Sequence, residues 1–474
     1  MHLQLDNKGP KHEQLARSLR QAIRSGQLQS GSKLPSTRML SENLGLSRNT
    51  VLRAYEQLRI ERLGVTREGS GTYVGDVPPA HGFVAPPRHV EAQSAYASRL
   101  RDLPPLTSAR GGPGIRYDLQ YGTPLVNPKL VSAWSTALAT AAASTDTGYP
   151  HAQGLPELRE SIARFLATWR GVVANPRDIV VVSGTQQALS LVARILLDVG
   201  ATAAMEDPSY ELASHVLRAH GARVVGVRTD GEGLVVDELP GDARLVHVTP
   251  SHQFPAGTTM SLRRRQQLLA FAQDNASWIF EDDYDGELSY SARPIPALRS
   301  LDAGDRVIYV GSFSKMMFPS LRLAYVVCPS GLRKDLVRAK RLEDLGCPAI
   351  EQAAMHLLFK RGAFERHLGA TVAELRRRRS ALFAGLARHA AGHVQADDSQ
   401  LGMHVIGWLP GFDLARLDRL VVAARSQGLG LHPVHPYYRV PPPRLGLLLG
   451  FAGLFPSQIE EATRILGACL RALP

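Results

Sequence analysis

The first 75 residues carry apolar positions at helical spacing in three short runs. In "EQLARSLRQAIRSGQL", Leu15, Leu19 and Ile23 form one stripe and Gly26 ends it. "LPSTRMLSENLGLSRNTVLRAYEQL" predicts two more helices around a tight break. Pro35 and Ser36 start the first, Gly45 supplies the turn, and Ser47 caps the second, whose inner face carries Val51, Ala54, Tyr55 and Leu58. "REGSGTYV" then reads as a glycine-turned hairpin. From about Tyr117 onward the pattern changes to short apolar strands alternating with amphipathic helices, which predicts an α/β fold with a mainly parallel sheet. No internal repeat is evident.

Between these regions, residues 76–115 hold seven prolines and four glycines in 40 positions, and neither periodicity persists. The expected organisation is therefore a basic helical module at 1–75, a linker at 76–115 and a large α/β domain at 116–474. A chain of 474 residues accommodates two or three domains. No apolar run of about 18 residues exists, so no membrane span is expected. The three cysteines, Cys328, Cys347 and Cys469, lie far apart, as expected of a reducing cytoplasm, and offer no CxxC metal site. The formal net charge is +12, and residues 1–75, with twelve Lys and Arg against six Asp and Glu, hold half of that excess. A basic terminal module points to a polyanionic partner.

On the second helix of the turn motif, Arg48, Asn49, Thr50 and Arg53 face outward near the N-terminus, where a helix-turn-helix places its base-reading residues. This stretch and "GSGTYV" resemble the GntR-type winged helix over about 65 residues. The resemblance implies that double-stranded DNA is bound by Arg38, Ser47, Arg48, Thr50, Arg53 and the wing near Gly69. In "RIERLGV" the chain departs from that family, which usually has a glycine directly after the glutamate.

In the α/β region, four predicted strands end in polar groups: "DIVVVSGTQQAL", "LVHVTPSHQFPAG", "SWIFEDDYDGEL" and "RVIYVGSFSK". Open α/β sheets bind ligands at such ends. Pyridoxal phosphate needs a lysine for a Schiff base, a carboxylate to keep its pyridine nitrogen protonated and a phosphate cradle. Lys315 and Asp282 are suited to the first two. Gly184 and Thr185 at a helix N-terminus, with Ser312, Ser314 and Arg322, can form the third. Tyr284 can hydrogen-bond the ring's phenolic oxygen, and Tyr210 can stack on its face. The S-x-x-K of "SFSK" also occurs in penicillin-recognising serine enzymes, but no KTG accompanies it here.

"YPHAQGLPELRESIA", "VSGTQQAL", "EDPSY", "VTPSHQFPAGTTMS", "EDDYDGEL" and "GSFSKMMFPSLRLAY" resemble, in order, the motifs of fold-type I aminotransferases. The fusion resembles the MocR family of PLP-dependent transcription regulators. The resemblance implies that Lys315 binds the cofactor, Asp282 pairs its nitrogen and Arg322 its phosphate. It also implies that Tyr149 crosses a dimer interface to the partner's phosphate. Asp283 and Asp285 are weaker candidates for the nitrogen partner and are expected to be solvated loop acids. Two departures stand out. Phe254 holds the place of the usual asparagine before the proline, which leaves Gln253 or His252 for the ring oxygen. Leu448 holds the slot of the usual carboxylate-binding arginine, with Arg444 out of register.

The expectation is a homodimeric, cytoplasmic regulator of transcription that senses pyridoxal phosphate, an amine or an amino acid, with at most slow or half transamination. The alternative is a working aminotransferase with an appended DNA-binding domain.

Overall fold

The computed structural model describes residues 5–67, 69–75, 94–104, 114–125, 127–146, 148–291 and 296–473, which fall into two compact units divided after residue 93. In the first unit, α1 (Lys11–Arg24), α2 (Thr37–Leu44) and α3 (Arg48–Ile60) precede a hairpin of β1 (Gly64–Arg67) and β2 (Gly71–Val74). Ser36 Oγ accepts from Met39 N at 3.3 Å and Ser47 Oγ from Thr50 N at 3.2 Å, so both helices start where the hydroxyl can satisfy an orphan N–H. Gly45 closes α2 at φ 62°, the left-handed backbone that a tight helix–turn–helix needs. Leu15, Leu19, Ile23, Val51, Ala54 and Leu58 bury the helical stripes against one another.

The second unit begins with a correction. Much of the segment read as a linker lies outside the described residues, but Ala95–Arg101 is a helix, α4, capped by Ser94 Oγ. Arg99 Nε donates to Ala219 O at 2.8 Å, and Tyr96 lies against the His220 ring. These docking contacts, not its own periodicity, hold the short helix, which is why the composition hid it.

The chain then runs through β3 (Tyr117–Asp118), α5 (Pro128–Ser144), α6 (Pro156–Trp169), β4 (Ile179–Val182), α7 (Thr185–Leu196), β5 (Thr202–Asp207), α8 (Glu211–Ala219), β6 (Arg223–Asp230), β7 (Gly233–Leu234) and β8 (Ala243–Val248). It continues through α9 (Leu262–Asp274), β9 (Trp278–Asp283), β10 (Val307–Ser312), β11 (Ala324–Val327), α10 (Arg333–Asp344), α11 (Ala349–Lys360) and α12 (Ala363–His389). Eight of these strands form one sheet in the order β4-β11-β10-β9-β8-β5-β6-β7. It is parallel from β10 to β6, while β11 runs antiparallel to both its neighbours and β7 is an antiparallel edge. Both faces are covered. Ile179, Val181, Tyr309 and Tyr325 join one core cluster, while Val180, Val182, Ile308 and Val310 join another. This is the period-two alternation of a strand buried on both sides. Of the remaining strands, β14 (Leu429–Gly430) pairs in parallel with β3, while β12 (Gln395–Ala396), β13 (His404–Trp408), β15 (His432–Pro433) and β16 (Gly446–Gly450) make a four-stranded antiparallel sheet. No described helix is long and apolar enough to cross a membrane.

Candidate cofactor site and DNA-reading helix

A cavity of about 490 Å³ opens at the C-terminal ends of the parallel strands. Lys315, three residues past β10, projects into it, and its Nζ donates to Gly122 O at 3.0 Å. A Cβ on Gly122 would overlap that amine, and φ there is +73°. Burial lowers the lysine's pKa, while Asp285 and Asp282 oppose the shift.

Asp282, the penultimate residue of β9, faces the cavity. Its carboxyl is pushed up to about 7, first by burial and then by Asp283 and Asp285, with Lys315 opposing. Its Oδ1 has no hydrogen-bond partner among the described residues, and Oδ2 is 3.9 Å from His247 Nε2. Burial holds that histidine down to about 4, so it is neutral at pH 7 and the contact is not an ion pair. Asp282 therefore presents an orphaned buried oxygen to the cavity, the feature a protonated pyridine nitrogen satisfies.

The phosphate end is assembled across two strands. Gly184, at φ +112°, caps α7, whose first residues Thr185 and Gln186 line the cavity. Arg322, in left-handed backbone, crosses from the start of β11 to donate from Nη2 to Ser183 O at 2.7 Å. Ser314 N donates to Ser312 Oγ at 3.1 Å, and both serines border the cavity. Backbone N–H groups, two hydroxyls and a guanidinium thus converge on one end, a cradle suited to a phosphate.

Opposite lies an aromatic wall centred on Phe254. Its ring meets Tyr121 at 5.2 Å, Tyr210 at 5.8 Å, Tyr437 at 5.1 Å and His404 at 5.8 Å between centroids. Tyr284 also lines the cavity, with its hydroxyl 3.0 Å from His252 Nδ1.

Several expectations need correction. Gln253 does not line the cavity. Its Nε2 donates to Pro208 O and Phe254 O, and its Oε1 accepts from Ala256 N, so the amide is committed to backbone groups of its own loop and of the segment after β5. Asp283 and Asp285 are buried, not solvated. Asp283 lies on the opposite face of the sheet from Asp282, accepting from Arg170 Nε at 2.7 Å and from Tyr309 OH at 2.8 Å. Asp285 faces His252 Nδ1 at 2.9 Å. Tyr149 is 89% exposed and forms no part of its own chain's cavity.

Leu448 is fully buried in an apolar cluster with Phe254, Ile406, Trp408 and Val434. Arg444 is exposed and stacks over Trp408 at 4.2 Å, and Arg439 donates to Ser214 Oγ and Val224 O. Among the described residues lining the cavity, only Lys315 and Arg322 are cations. Sequence reasoning missed Tyr121, Gly122 and His404, none of which stands in a quoted motif, and Thr249, which stands in "VTPSHQFPAGTTMS" but was given no role.

In the first unit, Arg48 and Arg53 are exposed on α3 and make no ion pair among the described residues. Arg38 is exposed and pairs with Glu42 at 3.2 Å. Ser47 and Thr50 share a hydroxyl contact of 2.8 Å at the helix cap. Gly69 sits in the wing turn at φ +72°, and Arg67 covers the Tyr73 ring at 4.6 Å.

Known proteins match both units. Residues 11–74 match the bacterial regulatory proteins of the gntR family, and residues 118–409 match the aminotransferase class I and II family. A probable rhizopine catabolism regulatory protein, MocR, of Rhizobium meliloti is 34% identical over 98% of this chain and 94% of its own. The pyridoxine biosynthesis transcriptional regulator PdxR of Corynebacterium glutamicum is 35% identical over 74% of each chain. Among solved structures, Pyrococcus horikoshii kynurenine aminotransferase matches with a TM-score of 0.69 at 26% identity, over 81% of this chain and 95% of that one. The chain therefore belongs to the MocR-type regulators of the GntR family, in which a helix-turn-helix DNA-binding module is joined to a class I and II aminotransferase domain whose cofactor is pyridoxal phosphate.

Proposed function

We propose that the second unit holds pyridoxal phosphate through Lys315 and reports its loading, or the arrival of an amine without an α-carboxylate, to the DNA-binding module. In this reading Asp282 pairs the ring nitrogen, Tyr284 the phenolic oxygen, and Arg322, Ser312, Ser314, Gly184 and Thr185 the phosphate. Tyr210 packs on the ring. Tyr149 reaches the phosphate of a second copy, in a cytoplasmic homodimer that presents two winged helices to paired half-sites. Arg48, Arg53 and Thr50, with Arg38, Ser47 and the wing at Gly69, contact the operator. When bound, the cofactor supplies an aldehyde and an electron sink.

The observation that carries the choice of effector is the charge of the cavity wall. Its two cations are both taken by the cofactor in this assignment, and the slot for a carboxylate-binding arginine is filled by buried Leu448. An α-carboxylate brought there meets no guanidinium fork.

The test is borohydride reduction of the yellow protein followed by peptide mapping. The label is expected on Lys315, and Lys315→Ala should carry none. A reducible adduct that persisted in that variant would defeat the assignment. The lysine–aspartate–tyrosine set favours a working aminotransferase as the second reading, and steady turnover of an amino acid with a keto acid would establish it.

A further inference from the structure

Tyr284 and Asp285 converge on one nitrogen. His252 Nδ1 lies 2.9 Å from Asp285 Oδ2 and 3.0 Å from the Tyr284 hydroxyl, and the ring is fully buried. One nitrogen cannot both donate to the carboxylate and accept from the phenol. We infer that Asp285 fixes the proton of His252 on Nδ1, and so leaves the Tyr284 hydroxyl proton free to be donated into the cavity, to the phenolic oxygen of the cofactor. This rests on the cofactor assignment above.

An ionised carboxylate accepts only, so its contact with Nδ1 requires Nδ1–H. The Tyr284 oxygen can then receive a share of that N–H but cannot give its own proton to it. The other nitrogen, Nε2, has Ser399 Oγ at 3.3 Å, a hydroxyl whose one proton can also go to Leu401 O at 3.2 Å or Gly257 O at 3.3 Å. The fold holds the arrangement tightly. Gly402, at φ +84°, covers the His252–Asp285 contact so closely that a Cβ there would stand 2.6 Å from Asp285 Oδ2 and nearer still to the imidazole. The charged and titratable groups facing the cluster include Lys315 and Asp282, Glu206 and Asp283 toward Tyr284, Glu287 and Tyr290 toward Asp285, and the His404 ring, 5.1 Å from that of His252 between centroids. Burial holds His404 down to about 3, so it adds no charge at neutral pH. His252 and Asp285 act through Tyr284 and are positioning residues.

The readout is the pH midpoint of the visible absorption band of the full-length, cofactor-loaded protein. A hydrogen bond to the cofactor's phenolate favours its ionised form and lowers that midpoint. Tyr284→Phe should therefore raise it by about one pH unit. With Asp285→Leu, nothing accepts from Nδ1–H, so Nδ1 can take the Tyr284 proton, and the midpoint should rise by a similar amount. The rise should be absent when Asp285→Leu is added to Tyr284→Phe. Lost charge alone predicts the opposite sign, because removing a carboxylate near Lys315 disfavours the protonated imine. Asp285→Asn keeps an oxygen that accepts from Nδ1–H and should shift the midpoint less than Asp285→Leu does. A fall or no change with Asp285→Leu, equal rises in the two backgrounds, or no shift with Tyr284→Phe would each overturn the inference. The last needs no substitution at Asp285, should Asp285→Leu fail to fold. A wild-type protein with no borohydride-fixable cofactor would instead remove the assignment on which it rests.

Discussion

The guanidinium of Arg322 fills the space that a side chain on Gly184 would need. A Cβ there would lie 3.0 Å from Arg322 Cζ and closer still to Nη2, on a backbone at φ +112°. Gly184→Ala should therefore both strain the helix cap and push the arginine out of the cradle. The strain destabilises free and loaded protein alike, but the displaced guanidinium loses a charge-assisted hydrogen bond worth about 1.5–3 kcal/mol, so the cofactor's Kd should rise roughly 10- to 150-fold. Titration of the visible band with pyridoxal phosphate measures it, and an unchanged Kd would show that the cradle lies elsewhere.

Asp282 gives the cofactor-free protein a pH dependence with a definite sign. Its folded pKa, about 7, lies above that of an unfolded aspartate. The folded state therefore keeps a proton that the unfolded state has released, and stability falls as pH rises from about 4 to 7. Asp282→Asn should lose that part of the decline, worth about 2–4 kcal/mol at pH 8. Denaturant unfolding of the cofactor-free forms at pH 5 and pH 8 reads the difference. Identical slopes in wild type and variant would place the titrating group elsewhere, with buried Glu206, also raised to about 7, the first alternative.

Leu448 makes a prediction about ligands. A panel of common α-amino acids should deplete the visible band of the loaded protein slowly, and amines lacking the carboxylate should bind at least as well. A charge-assisted hydrogen bond, worth about 1.5–3 kcal/mol, is missing at that slot. Rapid conversion by several ordinary α-amino acids would show that another group anchors the carboxylate.

Arg48 is exposed at the first turn of α3 and makes no ion pair among the described residues. If it reads a guanine edge, Arg48→Ala should weaken operator binding by about 1–3 kcal/mol and relax preference at that base pair. Binding isotherms on operator variants at matched salt decide this. Equal affinity would move the reading residue elsewhere on the helix.

The placement of Lys315 and Asp282 at the cavity was legible because each is a charged residue where an apolar parallel strand ends, and Arg322 shares that edge because it precedes the antiparallel β11. Asp283 was misjudged for a reason the strand period could have exposed. It is one residue from Asp282, so it faces the other side, where buried Arg170 meets it. Tyr121, Gly122 and His404 were invisible because only closure of the sheet brings such distant segments to Lys315. Gln253 was misjudged because its loop folds back on itself, with its N–H donating to Thr258 O at 2.9 Å. In the first unit, the glycine missing from "RIERLGV" marks a real backbone demand. Arg62 takes φ +59° there, and its N–H donates to Arg59 O at 3.0 Å to close α3.

The strand β11 lies between β4 and β10, and so between the two halves of the proposed phosphate cradle. Arg322 and Ser183 are 139 residues apart in the chain. During synthesis, the segment bearing Gly184 and Thr185 leaves the ribosome long before its arginine exists, and pairing of such distant strands is intrinsically slow. In the proposed assignment, a nascent chain therefore cannot retain the cofactor by its phosphate until residues 324–327 have been made and inserted. Cofactor capture then becomes a sign that the central sheet is complete, and a chain cut short before that strand should emerge colourless.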